Sequence, residues 1–570
     1  MPKFARFTIS TPTRHPANLK AYDPIFHRYK PDYVNPAFWV LNLIAIPPGL
    51  HESIADESFL SSMELLKSLD EKVKKAVIPN EILTFVWTVK QVGGSFSRTI
   101  PKLRSPSMWR TEVQVPKPGE YEVTLQVNLT GGQREVSSRN YLLRDFLVVS
   151  IGDSFASGQG NPDVVAVPSP DQKAICEATT LTLFITKIEG AIKEFAEQLK
   201  VKTEESIEKY LPFIGAIVVA EINNVEDVVG FVKNAAESVA SAVVDVARDI
   251  GGGVVEGAEE VASWFGLGDG GESDEIDPHP AGWQEPNAYR SYRSGHSLAA
   301  RQVESETPFS ADRITFISLG RSGSEIDDGL LGPRTVDVPL DSANKAIDGW
   351  TKNRGQIQEA KETVLNRPID ALIITIGVND LGFSSQVTQA ILWKSGEKRK
   401  ERIASVKKKL ETEYPQLLNQ LKRAIDSQLR PRQVFILEYP VRIFKEVAER
   451  GPCGVLGSSV GLNLDKADAR SLGELGDLLN QKIRAKADEF GWILVDGIEN
   501  GFDGHGYCAS RPYFVLAEES CRNQGDFEGM LHPNKLGQQV TRDCIVRALR
   551  REMLTPQESW LEPVLNVMMS

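Results

Sequence analysis

Residues 146–160 read FLVVSIGDSFASGQG. Phe146 to Ile151 form an apolar run without the polar alternation of a half-exposed strand, as expected of a strand buried on both faces of a parallel sheet. The run ends on Gly152-Asp153-Ser154, so a serine stands at a tight turn leaving the strand's carboxyl end. Open α/β sheets bind their ligands at that end. Comparable runs recur at Ile314–Leu319, Ala371–Ile376, Gln433–Leu437 and Trp492–Val495. Helix-patterned stretches such as Gln356–Leu365 and Arg402–Ser427 separate them. This alternation predicts an α/β domain over residues 146–555, with a doubly wound, mostly parallel sheet.

Upstream, the pattern changes to period two. Leu83, Phe85, Trp87 and Val89 alternate with Thr84, Val86 and Thr88, and Tyr121, Val123, Leu125 and Val127 alternate with more polar neighbours. One face of each strand is therefore expected on a core and the other in water. A short helical stretch between Asp56 and Lys75 interrupts the strands. Residues 1–145 are expected to form an N-terminal β-sandwich. The stretch PKPGEYEVTLQV, with its Trp87 strand upstream, resembles an immunoglobulin-type or PKD-type module.

Downstream of Ser154, residues 170–285 separate the first two α/β strands. Ile188, Ile192, Phe195 and Leu199 share one helical face, and a stripe from Val225 to Val246 continues at three- and four-residue steps. An α-helical insertion is predicted there. Its helices pack on each other or on the α/β body in the simpler account. In the other, they form a lid or touch a lipid surface. Residues 556–570 form a tail without a motif.

Composition narrows the class. The 570 residues carry a net charge of −12, which disfavours a nucleic-acid partner, since phosphate binding needs a basic surface. No apolar stretch is long enough to span a membrane as a helix. The opening MPKFARFTISTPTRHPANLK lacks the apolar core of a signal peptide, which favours the cytoplasm. Five cysteines are too few for a disulfide scaffold, and none forms a C-x-x-C pair; Cys508 and Cys521 flank one short segment and could close a loop.

Three further blocks follow Gly152-Asp153-Ser154. Gly320-Arg321-Ser322-Gly323-Ser324 leaves the second α/β strand, where a glycine can turn its N–H toward a developing oxyanion. Gly377-Val378-Asn379-Asp380 leaves the third and offers an amide donor to the same crevice, although helix capping would also use an asparagine. Leu531-His532-Pro533-Asn534 lies near the C-terminus, with proline fixing the backbone behind the imidazole. The other histidines (His15, His27, His51, His279, His296, His505) fall in loops or polar segments and are expected at the surface.

Taken in order, these blocks resemble the SGNH hydrolases, also called GDSL esterases and lipases, over roughly residues 146–165 and 285–550. The resemblance implies a flavodoxin-like α/β fold. Ser154 would be the nucleophile and His532 the general base, with an oxyanion hole from the backbone N–H groups of Ser154 and Gly323 and the Asn379 side-chain amide. It implies a carboxylic ester substrate, such as a lipid or an acylated carbohydrate, with no metal and no organic cofactor. Many relatives are secreted, which sets extracellular localisation against the cytoplasm. Family members often carry an aspartate three residues before the histidine, where this chain has Gly529. The Gly529 carbonyl is then the expected holder of the imidazole, with Asp526 and Glu528 as alternatives. An acyltransferase of the same fold, or a binding or adhesion protein with a vestigial esterase core, are the competing functions.

Overall fold

The computed structural model describes residues 4–14, 21–23, 26–47, 71–160, 283–285, 288–305, 312–334, 354–382, 396–451, 464–525 and 528–553. The chain divides into two compact units, and all of these belong to the one built from residues 1–168, 281–455 and 460–570. Apart from Trp283–Glu285, the insertion expected over 170–285 lies outside the described residues, as do Asp526 and the tail. Of the expected helix between Asp56 and Lys75, only residues 71–75 are described, and they are helical.

The N-terminal strands are β1 (Phe7–Ser10), β2 (Trp39–Ala45), β3 (Ile82–Gln91), β4 (Ser97–Leu103), β5 (Arg110–Val115) and β6 (Gly119–Leu129). A nineteen-residue strand, β7 (Arg134–Gly152), follows them. Two antiparallel groupings, β1-β2-β5 and β4-β3-β6-β7, share one core. Phe7, Leu41 and Val113 from the first meet Phe85, Trp87 and Val123 from the second. Leu83, expected in this core, is 47% exposed, and Ile82 is buried instead. A register shift between Ile82 and Thr84 is the cause: a bulge inverts the side-chain alternation on one side of it.

β7 passes through the boundary at residue 145 without a break. Arg134–Leu143 pairs antiparallel with β6. From Arg144 onward the same strand pairs in parallel with β8 (Asp312–Ser318), and from Val148 also with β9 (Ala371–Thr375) on its other side. β10 (Gln433–Leu437) and β11 (Ile493–Val495) extend the sheet, giving the parallel order β8-β7-β9-β10-β11. Renumbered from β7, this is the 2-1-3-4-5 order of flavodoxin-like folds, with the switch point beside the end of β7. Helices cover both faces. Leu147, Val149 and Ile151 pack with α2 (Gln356–Val364), α4 (Tyr414–Gln428) and α5 (Lys466–Phe490). Val148 faces α1 (Gly295–Ser305) and α6 (Lys535–Glu552), while α3 (Gly396–Thr412) lies beside α4 and α5. None of the described helices is long and apolar enough to cross a membrane.

Among the described residues β8 pairs only with β7, so its outer edge presents backbone groups that need partners. Side chains supply them. The amides of Phe316 and Ser318 donate to the hydroxyls of Tyr33 (3.1 Å) and Tyr29 (2.8 Å), and that of Ile314 donates to Glu304 (3.3 Å). The Tyr33 hydroxyl in turn donates to the Phe316 carbonyl at 3.1 Å. Two tyrosines from the N-terminal segment thus take the place of a missing strand.

His296 corrects the expectation of a surface residue. It is fully buried in α1, bonded to Ser150 Oγ (2.7 Å) and Thr375 Oγ1 (2.9 Å), and burial lowers its pKa to about 3. Its sequence neighbours are polar, but two small hydroxyls beneath the sheet complete its hydrogen bonds. His27 is also partnered: its ring meets Glu285 at 2.5 Å, and that bond raises its pKa. Cys508 and Cys521 are both disulfide-bonded, whereas Cys544 is free and buried.

Candidate active site

The turn after β7 depends on a glycine. Gly152 has φ +139°, and a Cβ there would lie 2.1 Å from the Thr375 carbonyl oxygen. The next amide, of Asp153, donates to that same oxygen at 3.0 Å, which fixes block one on the end of β9. Asp153 then caps the single helical turn Ser154–Ser157, accepting from the Phe155 amide at 3.0 Å. Its other oxygen accepts a short hydrogen bond from the Tyr439 hydroxyl. The carboxyl is fully buried, and burial raises its pKa to about 7 despite these donors. Asp153 therefore shapes the turn, and Ser154 emerges from it only 4% exposed.

Blocks two and three close around this turn. The Arg321 amide donates to the Gly152 carbonyl at 3.0 Å. Asn379 donates from Nδ2 to the Ser324 carbonyl (3.0 Å), and Asp380 accepts from the Ile326 amide (2.8 Å). The second oxygen of Asp380 is buried without a partner among the described residues, and burial raises this carboxyl to about 8. Gly323 has φ +68°, a backbone that L side chains rarely adopt, so glycine is needed there for conformation as well as for space.

His532 arrives from the opposite side, on the loop before α6. Asn534 caps that helix, accepting from the Leu536 and Gly537 amides. The backbone N–H of His532 donates to the Gly529 carbonyl at 3.1 Å. Gly160 meets the histidine directly: a Cβ at residue 160 would lie 2.8 Å from His532 Cβ. The ring of Phe155, next to Ser154, lies 6.0 Å from the imidazole, centroid to centroid. Burial lowers the pKa of His532 to about 4, opposed by the nearby carbonyls of Met530, Gly529 and Glu528. Although those carbonyls surround the ring, Nδ1 is closed to solvent and makes no hydrogen bond among the described residues. Glu528 contributes its backbone, whose carbonyl accepts from Gln159 Nε2 at 2.7 Å.

Three glutamines absent from the sequence expectations hold the blocks together. Gln356, buried at the start of α2, accepts from the Gly152 amide (2.7 Å) and donates to the Gly152 carbonyl (2.8 Å) and Ser324 Oγ (3.0 Å). Gln159 joins the Glu528 carbonyl to Ser322, whose hydroxyl it accepts in a short bond. Gln524 accepts from the Gly160 amide at 2.7 Å and packs on Gly529, where a Cβ would come within 2.7 Å of its side chain. A cleft of about 490 Å³ bordered by Trp39, Asp145 and Arg367 lies elsewhere, at the amino end of the parallel sheet. Seven residues of strand, roughly 23 Å, separate Asp145 from Gly152, so that cleft takes no part in the chemistry.

Residues 280–540 match the GDSL-like Lipase/Acylhydrolase family. The match takes in the parallel strands β8–β11 and leaves β7 outside it. A lipase from Streptomyces rimosus is 29% identical over 160 residues, which are 28% of this chain and 54% of the relative. The chain thus spans about half the length of the curated relative it matches. Among solved structures, the extracellular lipase from Streptomyces rimosus is 24% identical, with a TM-score of 0.32 over 46% of this chain and 89% of that one. Phospholipase A1 from Streptomyces albidoflavus NA297 is 20% identical, with a TM-score of 0.31 over the same shares. The GDSL match begins beyond Ser154 and takes in the other three blocks.

Proposed function

We propose that the protein is a carboxylic ester hydrolase that forms an acyl-enzyme on Ser154. His532 takes the hydroxyl proton as Ser154 attacks the carbonyl, and later protonates the leaving alcohol. The backbone N–H groups of Ser154 and Gly323 and the Asn379 amide receive the oxyanion; removing one such donor typically costs ~10²–10³ in turnover. A pKa near 4 leaves the imidazole neutral, and so able to act as a base, above about pH 4. The backbone carbonyls around His532 would orient its ring in place of a carboxylate. Gly529 is the first choice, with Asp526 and Glu528 as alternatives. The N-terminal sheets serve as a β-sandwich accessory module of immunoglobulin or PKD type, and the helical insertion as a unit that meets lipid or covers the crevice.

One observation carries this function: block one and the histidine loop converge. Gly160 abuts His532 Cβ, and Gln159 spans from block one to both Ser322 and the Glu528 carbonyl. The test is a fluorophosphonate probe on the full chain, with hydrolysis of a short-chain ester measured in parallel. Wild type should be labelled at Ser154, and Ser154→Ala should lose both labelling and at least ~10⁴-fold of turnover while remaining folded. Transfer of the acyl group to an alcohol at the expense of water would indicate an acyltransferase. Absence of labelling and turnover in wild type would favour a binding protein with a vestigial core.

A further inference from the structure

Beside the candidate oxyanion glycine lies a cation that the ester-hydrolase chemistry above does not use. A Cβ at Gly323 would sit 2.2 Å from Nη2 of Arg334 and 2.7 Å from its Cζ, so the guanidinium rests on the backbone at residue 323. Other buried arginines nearby have partners: Arg321 pairs with Glu359, and Arg290 Nε donates to the Gly320 carbonyl at 3.1 Å. Arg334 is half-buried, yet makes no hydrogen bond or ion pair among the described residues. Burial lowers its pKa, and Asp328, Glu325 and Glu528 act on it only through space, with Arg321 opposing them. Its contact with Gly323 puts the guanidinium beside the residue whose N–H is proposed to receive the oxyanion. A guanidinium drawn partly out of water normally has a planar anionic partner, since its fork matches carboxylate and phosphate oxygens.

We propose that Arg334 binds an anionic oxygen group, a phosphate or a carboxylate, that the ester substrate carries close to its scissile carbonyl. This rests on the ester-hydrolase function and on Gly323 as oxyanion donor. The anion would complete the partner set of Arg334 only when substrate is bound. Selectivity for charged esters would then come from a single side chain in an acidic protein that otherwise repels anions.

The test compares three butyryl esters on the full chain: of glycerol, of glycerol 3-phosphate and of glycerate. Wild type should favour at least one charged ester over the neutral one in kcat/KM. Arg334→Gln should lower that ratio about 10–100-fold, the range for a lost hydrogen bond to a charged group, chiefly through KM. Arg334→Lys should restore part of it, and the wild-type preference should shrink as salt rises from about 50 to about 500 mM. The phosphate and carboxylate arms decide which anion is meant. Equal hydrolysis of all three by wild type overturns the proposal. So does an equal fall on all three through kcat in Arg334→Gln, because a guanidinium serving only the reacting carbonyl would treat them alike. Wild type that hydrolyses none of them and leaves Ser154 unlabelled refutes the hydrolase function itself, and this proposal with it.

Discussion

The two halves of β7 are one strand under two sets of rules. Over Arg134–Leu143 it has an antiparallel neighbour, and its residues alternate between covered and open positions. Over Phe146–Gly152 its neighbours are parallel, on both sides from Val148 to Ser150, with helices on both faces, and Leu147 through Gly152 are all buried. The pattern of apolar residues therefore follows the number of covered faces, even where the strand itself is continuous. The proposed chemistry attaches to the second half because its carboxyl end opens at the switch point of the parallel sheet.

Truncation should break the comparison most visibly. Ile151→Ala removes a fully buried side chain from the core shared with α2 and α4 and should cost about 2–5 kcal/mol. Val136 lies on the same strand but is 50% exposed, and Val136→Ala should cost no more than about 0.5 kcal/mol. Urea midpoints of the two variants measure the contrast. Similar losses would mean that burial along β7 does not divide as described.

A smaller effect concerns the edge beside the parallel half. Tyr29→Phe and Tyr33→Phe keep their packing but leave the amides of Ser318 and Phe316 without acceptors. Each should cost about 1–3 kcal/mol, the penalty for a buried unsatisfied donor. Because β8 leads directly into Gly320–Gly323, ester turnover should fall in the same variants. Unchanged midpoints would show that water satisfies these amides, and that the N-terminal segment does not complete the sheet.

The sequence made the parallel strands legible because a strand covered on both faces is apolar on both, as Phe146–Ile151 and Ala371–Ile376 are apart from Ser150 and Thr375, the two hydroxyls that bond His296. Gly152 was legible for a related reason: a turn pressed against the Thr375 carbonyl leaves a motif in which only glycine fits. The tertiary hydrogen bonds were not. Gln356, Gln159 and Gln524 each bind groups more than a hundred residues away, and nothing in the neighbouring sequence marks such a partner. Tyr29 and Tyr33 cap a strand nearly three hundred residues downstream for the same reason. Leu83 misled because a bulge is a property of the pairing, which one strand's sequence does not contain. His296 misled because its environment comes from β7 and β9, while its neighbours along the chain are polar.

The smallest expected effect sharpens the comparison at the end of β7, where Asp153 follows directly on Gly152. Its folded pKa of about 7 lies above the ordinary 3.8, so the folded protein holds this proton more tightly than the unfolded chain does. Such a group contributes stability that is fully present below about pH 3.8 and lost as pH rises through about 7. Asp380, raised to about 8, acts in the same direction. His532 acts in the other: its pKa falls from 6.5 to about 4, so its contribution is present above 6.5 and is lost as pH falls toward 4. Between pH 4 and 6.5 the carboxyls and the His532 imidazole offset one another, whereas above 6.5 the carboxyls still titrate and His27, raised by its bond to Glu285, acts in the same direction. Wild type should therefore lose stability between about pH 6.5 and 8. Asp153→Asn removes one of these titrations, while its amide oxygen can still accept from the Phe155 N–H and its NH2 can donate to the Tyr439 hydroxyl oxygen. The urea midpoint of this variant should decline less steeply over that interval than the wild-type midpoint. Parallel declines in the two proteins would mean that Asp153 is already ionised in the folded state, held so by the Tyr439 hydroxyl and the Phe155 amide against the cost of burial.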